Sequence, residues 1–290
     1  MLEFDILFAS VLNGLTTGAV YALIALGLTL IYGVLHIINF AHGAALMVAL
    51  YAVFLLKSRL GIDPYLALPI VVAGMFALGY GLQRGIINRA GHGKDENILL
   101  VTLGLAIVME NLALLVFKSD THTIETPYTL ATVAIGPAMI AVPKLVAFAG
   151  ALATSALLLW IVTGTDLGRA IRAVAKEKHG AKLMGIDVDH IYAMCFGIGL
   201  ACLGAAACFL LPMYYVNPQV GAGFVPVAFT IVVLGGMGSF AGALLGGLLI
   251  GVVESLGGLF LGESLGQIGI FAIFIAVLLF RPQGLFGARV

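Results

Sequence analysis

The feature that most constrains this chain is a series of apolar runs, each close to a bilayer in length. A helix needs about 20 residues to cross a hydrocarbon core. The runs cover residues 7–31, 44–56, 65–82, 97–117, 145–163, 191–211, 224–236, 241–256 and 265–280. Of the 290 residues, 62% are hydrophobic and 10% charged, whereas soluble domains hold roughly 45–50% and 25%. A core surrounded by water has no place for that much apolar surface, and a bilayer does. The reading is an all-α, polytopic transmembrane bundle of roughly 8 spans with a broken or re-entrant segment, forming a single domain over residues 1–290. Runs 44–56 and 224–236 are short for a crossing and are the candidates for breaks, which a membrane tolerates only where backbone is buried in protein or lines a cavity.

Basic residues give the orientation, because loops rich in Lys and Arg stay on the cytoplasmic side. One set of loops holds Arg84, Arg89, Lys94, Arg169, Arg172, Lys176, Lys178, Lys182, Arg281 and Arg289; the other holds Lys57, Arg59, Lys118 and Lys144. The first set reads as cytoplasmic, so the N-terminus is expected outside and the C-terminus inside. Residues 1–5 contain Glu3 and Asp5 and no basic residue, unlike the start of a cleaved signal peptide. The first run is therefore expected to stay as a span, and Glu254, near the end of run 241–256, to sit at the interface.

Several function classes lose support. No HExxH, GxSxG or GxxxxGK[ST] is present, so nothing suggests a metalloprotease, a serine hydrolase or a chain that itself holds ATP by a P-loop. Cys195, Cys202 and Cys208 share one apolar run without metal-ligand spacing and read as packed thiols. The net charge is zero and no basic face is concentrated enough for nucleic acid.

The largest loop on the cytoplasmic side, 165–190, reads as short amphipathic helices at the membrane surface: Asp166 is a plausible N-cap, and Ala170, Val174, Ala181 and Met184 alternate with charges. The loop 118–144 reads as an irregular external cap. Glycines recur every four residues at Gly238, Gly242 and Gly246 and at Gly247 and Gly251. Such spacing lets neighbouring helices approach closely, for packing or for a moving gate.

Four elements, in order, resemble the branched-chain amino-acid permeases of ABC importers, the LivH type. They are GLTLIYGVLHIINFAHG at 27–43, LGRAIRAVAKEKHGAKLMGID at 167–187, LGGMGSFAGALLGG at 234–247 and RPQGLFG at 281–287. Glu110-Asn111 departs from the Gln-Asn of many members, which puts direct transfer of substrate identity in doubt. The resemblance implies a bacterial inner-membrane permease with no cofactor of its own. It works with a second homologous permease, two ATP-binding subunits that hold ATP and Mg, and a periplasmic substrate-binding protein. The cargo it implies is a branched-chain or other small hydrophobic amino acid, with urea, short amides and small aromatic acids as alternatives inside the family. A stand-alone secondary transporter or channel is the alternative outside it, and would be expected to show paired intramembrane charges.

Two site expectations follow. A coupling helix within 173–185 would dock on the ATPase through Ala175, Glu177, Ala181, Met184 and Gly185. A path between two permeases would be lined near the breaks by Asn39, His42, Gly43, Gly235, Gly236, Gly238 and Ser239. His42 reads as touching the path or as capping exposed backbone. Glu110, deep in its run, either faces the path or is held protonated in a helix contact.

Overall fold

With no water to satisfy them, backbone N–H and C=O groups in a bilayer must bond within their own segment, and the chain is helical almost throughout. The computed structural model describes residues 2–91, 95–262, 265–281 and 284–285. Lys94, Arg289 and most of the RPQGLFG element lie outside the described residues. The order is α1 (Leu2–Leu35), α2 (His42–Leu60), α3 (Leu68–Leu82), a π-helical turn (Gln83–Ile87) leading into α4 (Asn88–Gly91), α5 (Asp95–Phe117), strands β1 (Thr132–Ile135) and β2 (Ala138–Ala141), α6 (Val142–Gly164), α7 (Asp166–Lys176), α8 (Lys178–Leu183), α9 (Val188–Leu210), α10 (Val220–Gly235), α11 (Phe240–Leu261) and α12 (Gly266–Phe280). Among the described residues, 7 helices are long and apolar enough to cross a membrane, and α10 and α12 are shorter apolar helices.

The core is organised around α1, which packs against α6, α9, α10 and α11. Buried residues make up 83% of the apolar window in both α1 and α9 and only 17% in α5, so α5 is peripheral in the single chain. The most extensive contact is between α1 and α11, which run antiparallel with Gly14 opposite Val252 and Gly18 opposite Gly247, while Gly33 of α1 meets Gly238 in the turn before α11. A Cβ at Gly18 would stand 2.6 Å from the Gly247 carbonyl oxygen, closer than packed atoms tolerate. Of the four-residue glycine spacings, Gly247 and Gly251 pack on α1, and Gly242 and Gly246 pack on α10.

Two helices begin partway along α1. After Leu35 the chain turns back through an unwound stretch, and His42, the first residue of α2, reaches the level of Ile24. Run 44–56, read as short, is part of a 19-residue helix. Lys57, Ser58 and Arg59 add a last turn, where basic side chains suit the helix dipole, and Gly61 closes it at φ 68°. The start of α10 packs on the start of α2 through Gly221 and Gly43. The 16 residues of α10 then run to a tight turn whose Gly236 and Gly238 both have φ 90°.

Loop 118–144 is more ordered than its sequence suggests. Strands β1 and β2 pair antiparallel with Ile135 opposite Ala138. Gly136, at φ 59°, takes the first central position of the two-residue turn, where a hairpin favours positive φ. The cap is tied to the connection between α2 and α3 by Tyr128, whose hydroxyl donates to Asp63 Oδ2 at 2.8 Å. Burial, and then this bond, push the Tyr128 phenol above its usual range, so it remains a donor at neutral pH. At the other end of the bundle, α7 is capped by Thr165 rather than Asp166: the Thr165 hydroxyl accepts from Gly168 N at 3.1 Å, which leaves Asp166 in the first turn paired with Arg169.

Gly18→Val should lower stability by about 1–3 kcal/mol or more through overpacking. Gly74→Val, with no atom within 4 Å of the added Cβ, should stay within about 0.5 kcal/mol. Thermal unfolding of the two purified variants in detergent checks the difference; equal melting would show that the α1–α11 seam does not limit stability.

Candidate translocation path and coupling surface

The residues expected along the path fall in three places. Asn39, His42 and Gly43 are buried inside the single chain. The Asn39 side chain accepts from Ala41 N at 3.0 Å, and His42 Nε2 lies 3.0 Å from the Ile24 carbonyl oxygen. Here the break is a helix junction: Asn39 bonds the unwound backbone, whereas His42 bonds a carbonyl in the middle of α1. Gly235 and Gly236 are also buried; Gly235 packs on Gly242, and the Ser239 hydroxyl caps α11 by accepting from Gly242 N at 3.1 Å. Gly238 is half-buried beside Gly33. Gly236 and Gly238 both sit at φ 90°, so a larger residue at either strains the turn as well as filling space.

Glu110 is apart from both breaks. It is half-buried on α5, next to exposed Ile107, Leu112 and Asn111. The Asn111 amide donates to the Ile107 carbonyl at 2.8 Å. Thr102 of the same helix does reach a break, accepting from Phe40 N at 3.3 Å. Glu110 lies two turns further on, about 12 Å by helix rise.

The polar space in the bundle lies elsewhere, towards the end that carries the hairpin. A cavity of about 650 Å³ is lined by Tyr21, Tyr214, Phe224, Val227, Glu254 and Gln267 among others. A groove of about 590 Å³ shares Glu254 with it and adds Lys144, Asn13 and Ser255. A smaller pocket of about 220 Å³ joins Lys144 to Tyr21, Tyr214 and Phe224. The three spaces adjoin through shared lining: Glu254 borders the cavity and the groove, Lys144 the groove and the smaller pocket, and Tyr21, Tyr214 and Phe224 the pocket and the cavity; together they make the recess around Tyr21 and its neighbours. At the hairpin end it meets a cleft of about 530 Å³ between residues 123–130 and 212–215; at its base Phe224 and Val227 of α10 are buried.

Aromatic edges shape the recess: Phe224 meets Tyr21 at 6.0 Å and Tyr214 at 5.6 Å between ring centroids. Lys144 Nζ donates to Asn13 Oδ1 at 3.0 Å. The Tyr21 ring and the Glu254 carboxylate line the same cavity. The sequence reading missed this site. It placed Glu254 near a span end, whereas α11 continues to Leu261 and holds Glu254 two turns inside. It counted Lys144 as a loop residue, whereas Lys144 belongs to the first turn of α6.

At the opposite end, α7 and α8 form a bent pair. Ile171 and Val174 of α7 are buried, as is Ala181 of α8, so Ala181 faces the bundle rather than an outside groove; Ala175 is half-buried. Glu177 caps α8 by accepting from His179 N at 3.1 Å. Past Ala181, Leu183 and Met184 are 76% and 83% exposed, and Gly185 turns the chain at φ 83°. Two large apolar side chains stand free on a rigid, cationic corner.

The sequence model of the branched-chain amino acid transport system / permease component family matches residues 10–278. The chain is 36% identical to the high-affinity branched-chain amino acid transport system permease protein BraD of Pseudomonas aeruginosa, over 95% of this chain and 94% of that one. It is 33% identical to the permease protein LivH of Escherichia coli K12, over 95% and 94%. The D-allose transport system permease protein AlsC of Escherichia coli K12 is 27% identical over 82% of this chain and 69% of that one. Among solved structures, PsaBC from Streptococcus pneumoniae in complex with Fab superposes with a TM-score of 0.51 at 16% identity, over 93% of this chain and 91% of that one, a likeness of fold alone.

His42→Phe should cost about 1–3 kcal/mol, because the bond to Ile24 is lost at a buried site. His42→Gln, which can still reach the carbonyl, should recover part of it. Detergent thermal unfolding beside transport assays checks this: transport should fall only as folded protein falls.

Proposed function

The chain belongs to the branched-chain amino acid transport system permease family, and on that premise we propose that it carries branched-chain amino acids through the bacterial inner membrane as one permease of an ABC importer. Membership makes it a permease subunit of such an importer and sets aside the stand-alone transporter or channel. The cargo rests on the names of relatives that match along nearly the whole chain. That breadth is the observation that carries the reading, because the similarity runs along the chain from end to end.

The assembly follows from where the surfaces lie. The hairpin end, with Lys57, Arg59, Lys118 and Lys144, faces the periplasm and receives cargo from a binding protein. The α7–α8 end, where Arg169, Arg172, Lys176, Lys178 and Lys182 gather, faces the cytoplasm. There Leu183 and Met184 dock on one of two ATPase subunits, which hold the ATP and Mg; Glu177 and Gly185 shape the corner, and Ala175 and Ala181 fix it to the bundle. Docking through protruding apolar side chains on a rigid corner transmits motion without a covalent link. A second permease covers the thinly packed α5 face. The cover would shield Glu110 and Asn111 from lipid, where polar side chains are costly.

Two measurements test this. The double substitution Leu183→Glu with Met184→Glu should reduce ATPase co-purification and leucine uptake by more than about fivefold, while the melting of the bundle is unchanged, since both side chains are exposed. Unaltered uptake would remove the corner from coupling. Single cysteines at Thr129 and Lys178 should be labelled from opposite sides of the membrane, read against a low background because Cys195, Cys202 and Cys208 are buried. Labelling of both from one side overturns the orientation.

A further inference from the structure

From the recess around Tyr21 we infer that it is a transit site for a zwitterionic amino acid, with Glu254 receiving the α-ammonium and Lys144 the α-carboxylate. The inference rests on the importer reading above and gives its path an address. Both residues border the same groove. Their charges are opposite, yet among the described residues neither forms an ion pair: the one salt bridge is Arg169–Asp166, at the far end of the molecule. Lys144 has a neutral partner, Asn13, and Glu254 shares the lining of the cavity with Tyr21. A carboxylate and an ammonium standing separately in an apolar bundle are costly. A ligand carrying one charge of each sign relieves both costs on binding.

The remaining lining fits the rest of such a ligand. Phe224 and Val227 offer an apolar wall on the α10 side of the cavity, which suits an aliphatic side chain. At the entry to α10, Gln219 N donates to Asn217 Oδ1 at 3.1 Å and Val220 N to the Asn217 carbonyl at 3.2 Å, so both are already engaged. The cleft beside Tyr214 and Tyr215 leads into the cavity from the periplasmic end. At the level of the lining residues Val220 and Gly223, α10 touches α2 through Gly221 and Gly43. The site is weak by design, since a path conducts only if its occupant can leave.

The test uses the full transporter in proteoliposomes with its binding protein, together with a cysteine reporter in place of Gln267, an exposed residue of the cavity rim. Maleimide labelling is read on this chain by mass. Millimolar leucine should slow labelling of the reporter, whereas isopentylamine and 4-methylpentanoate, each lacking one of the two charges, should not. Glu254→Gln should abolish protection and reduce leucine uptake at least tenfold, with ATP hydrolysis stimulated by the loaded binding protein still within twofold; Glu254→Asp should restore both. Lys144→Gln and Lys144→Arg should behave as the matching pair. If leucine gives no protection in a complex that imports it, or if Glu254→Gln imports at the unsubstituted rate, the site is overturned. If the unsubstituted complex imports no branched-chain amino acid, the proposed cargo fails instead. The site is then judged by whether any other zwitterionic amino acid protects the reporter and loses that protection in Glu254→Gln.

Discussion

The contact on which the rest depends is the glycine seam between α1 and α11. In a bilayer, lipid tails are as apolar as leucine, so helices gain little by hiding hydrophobic surface from one another. What holds them is close packing, and packing improves as backbones approach. Gly14 and Gly18 on one helix, with Gly247 and Gly251 on the other, remove the side chains that would keep the axes apart. Once α1 and α11 are joined, α9 closes on α1 at Gly27 and Gly199, and α3 follows on α9 at Gly79 and Gly197. The high glycine content of the chain is the material of this scaffold.

The scaffold also explains where polar groups can be afforded. Close contacts put α2 and α10 partway along α1, so their first turns lie inside the bundle, where Asn39 serves the unwound backbone between α1 and α2 and His42 ties α2 to the Ile24 carbonyl of α1. Beside that sealed junction the helices diverge towards the hairpin end, and the recess with Tyr21, Lys144 and Glu254 opens. A tight half and an open half along one axis are the arrangement that a gated path requires.

The spans were legible from hydropathy, because apolar length is the physical requirement for crossing. The break before His42 was legible because 44–56 is short, although α2 itself proved long enough once its polar last turn was counted. Less legible were features that depend on partners remote in sequence. Glu254 looks interfacial if the apolar run is ended at Leu256, and only the continuation of α11 to Leu261 puts it inside. Ala181 has the size for a groove contact, but the bend between α7 and α8 turns it inward and leaves Leu183 and Met184 outside. Thr165 and Asp166 are both good capping residues, and a one-residue difference in where α7 begins decides between them. The hairpin signal was present in Gly136-Pro137 between two short apolar stretches and was obscured by the threonines around it.

The seam joins positions that are far apart in the chain: Gly14 meets Gly251. A ribosome adding about 5–20 residues each second therefore makes α1 on the order of tens of seconds before α11 exists. During that interval the glycine face of α1 has no permanent neighbour, and the helix must wait in lipid or beside an insertion factor. Biogenesis of this protein is thus a problem of patience. Its first helix is the last to find its closest partner, and a truncated chain that stops short of α11 leaves the membrane holding an unfinished interface.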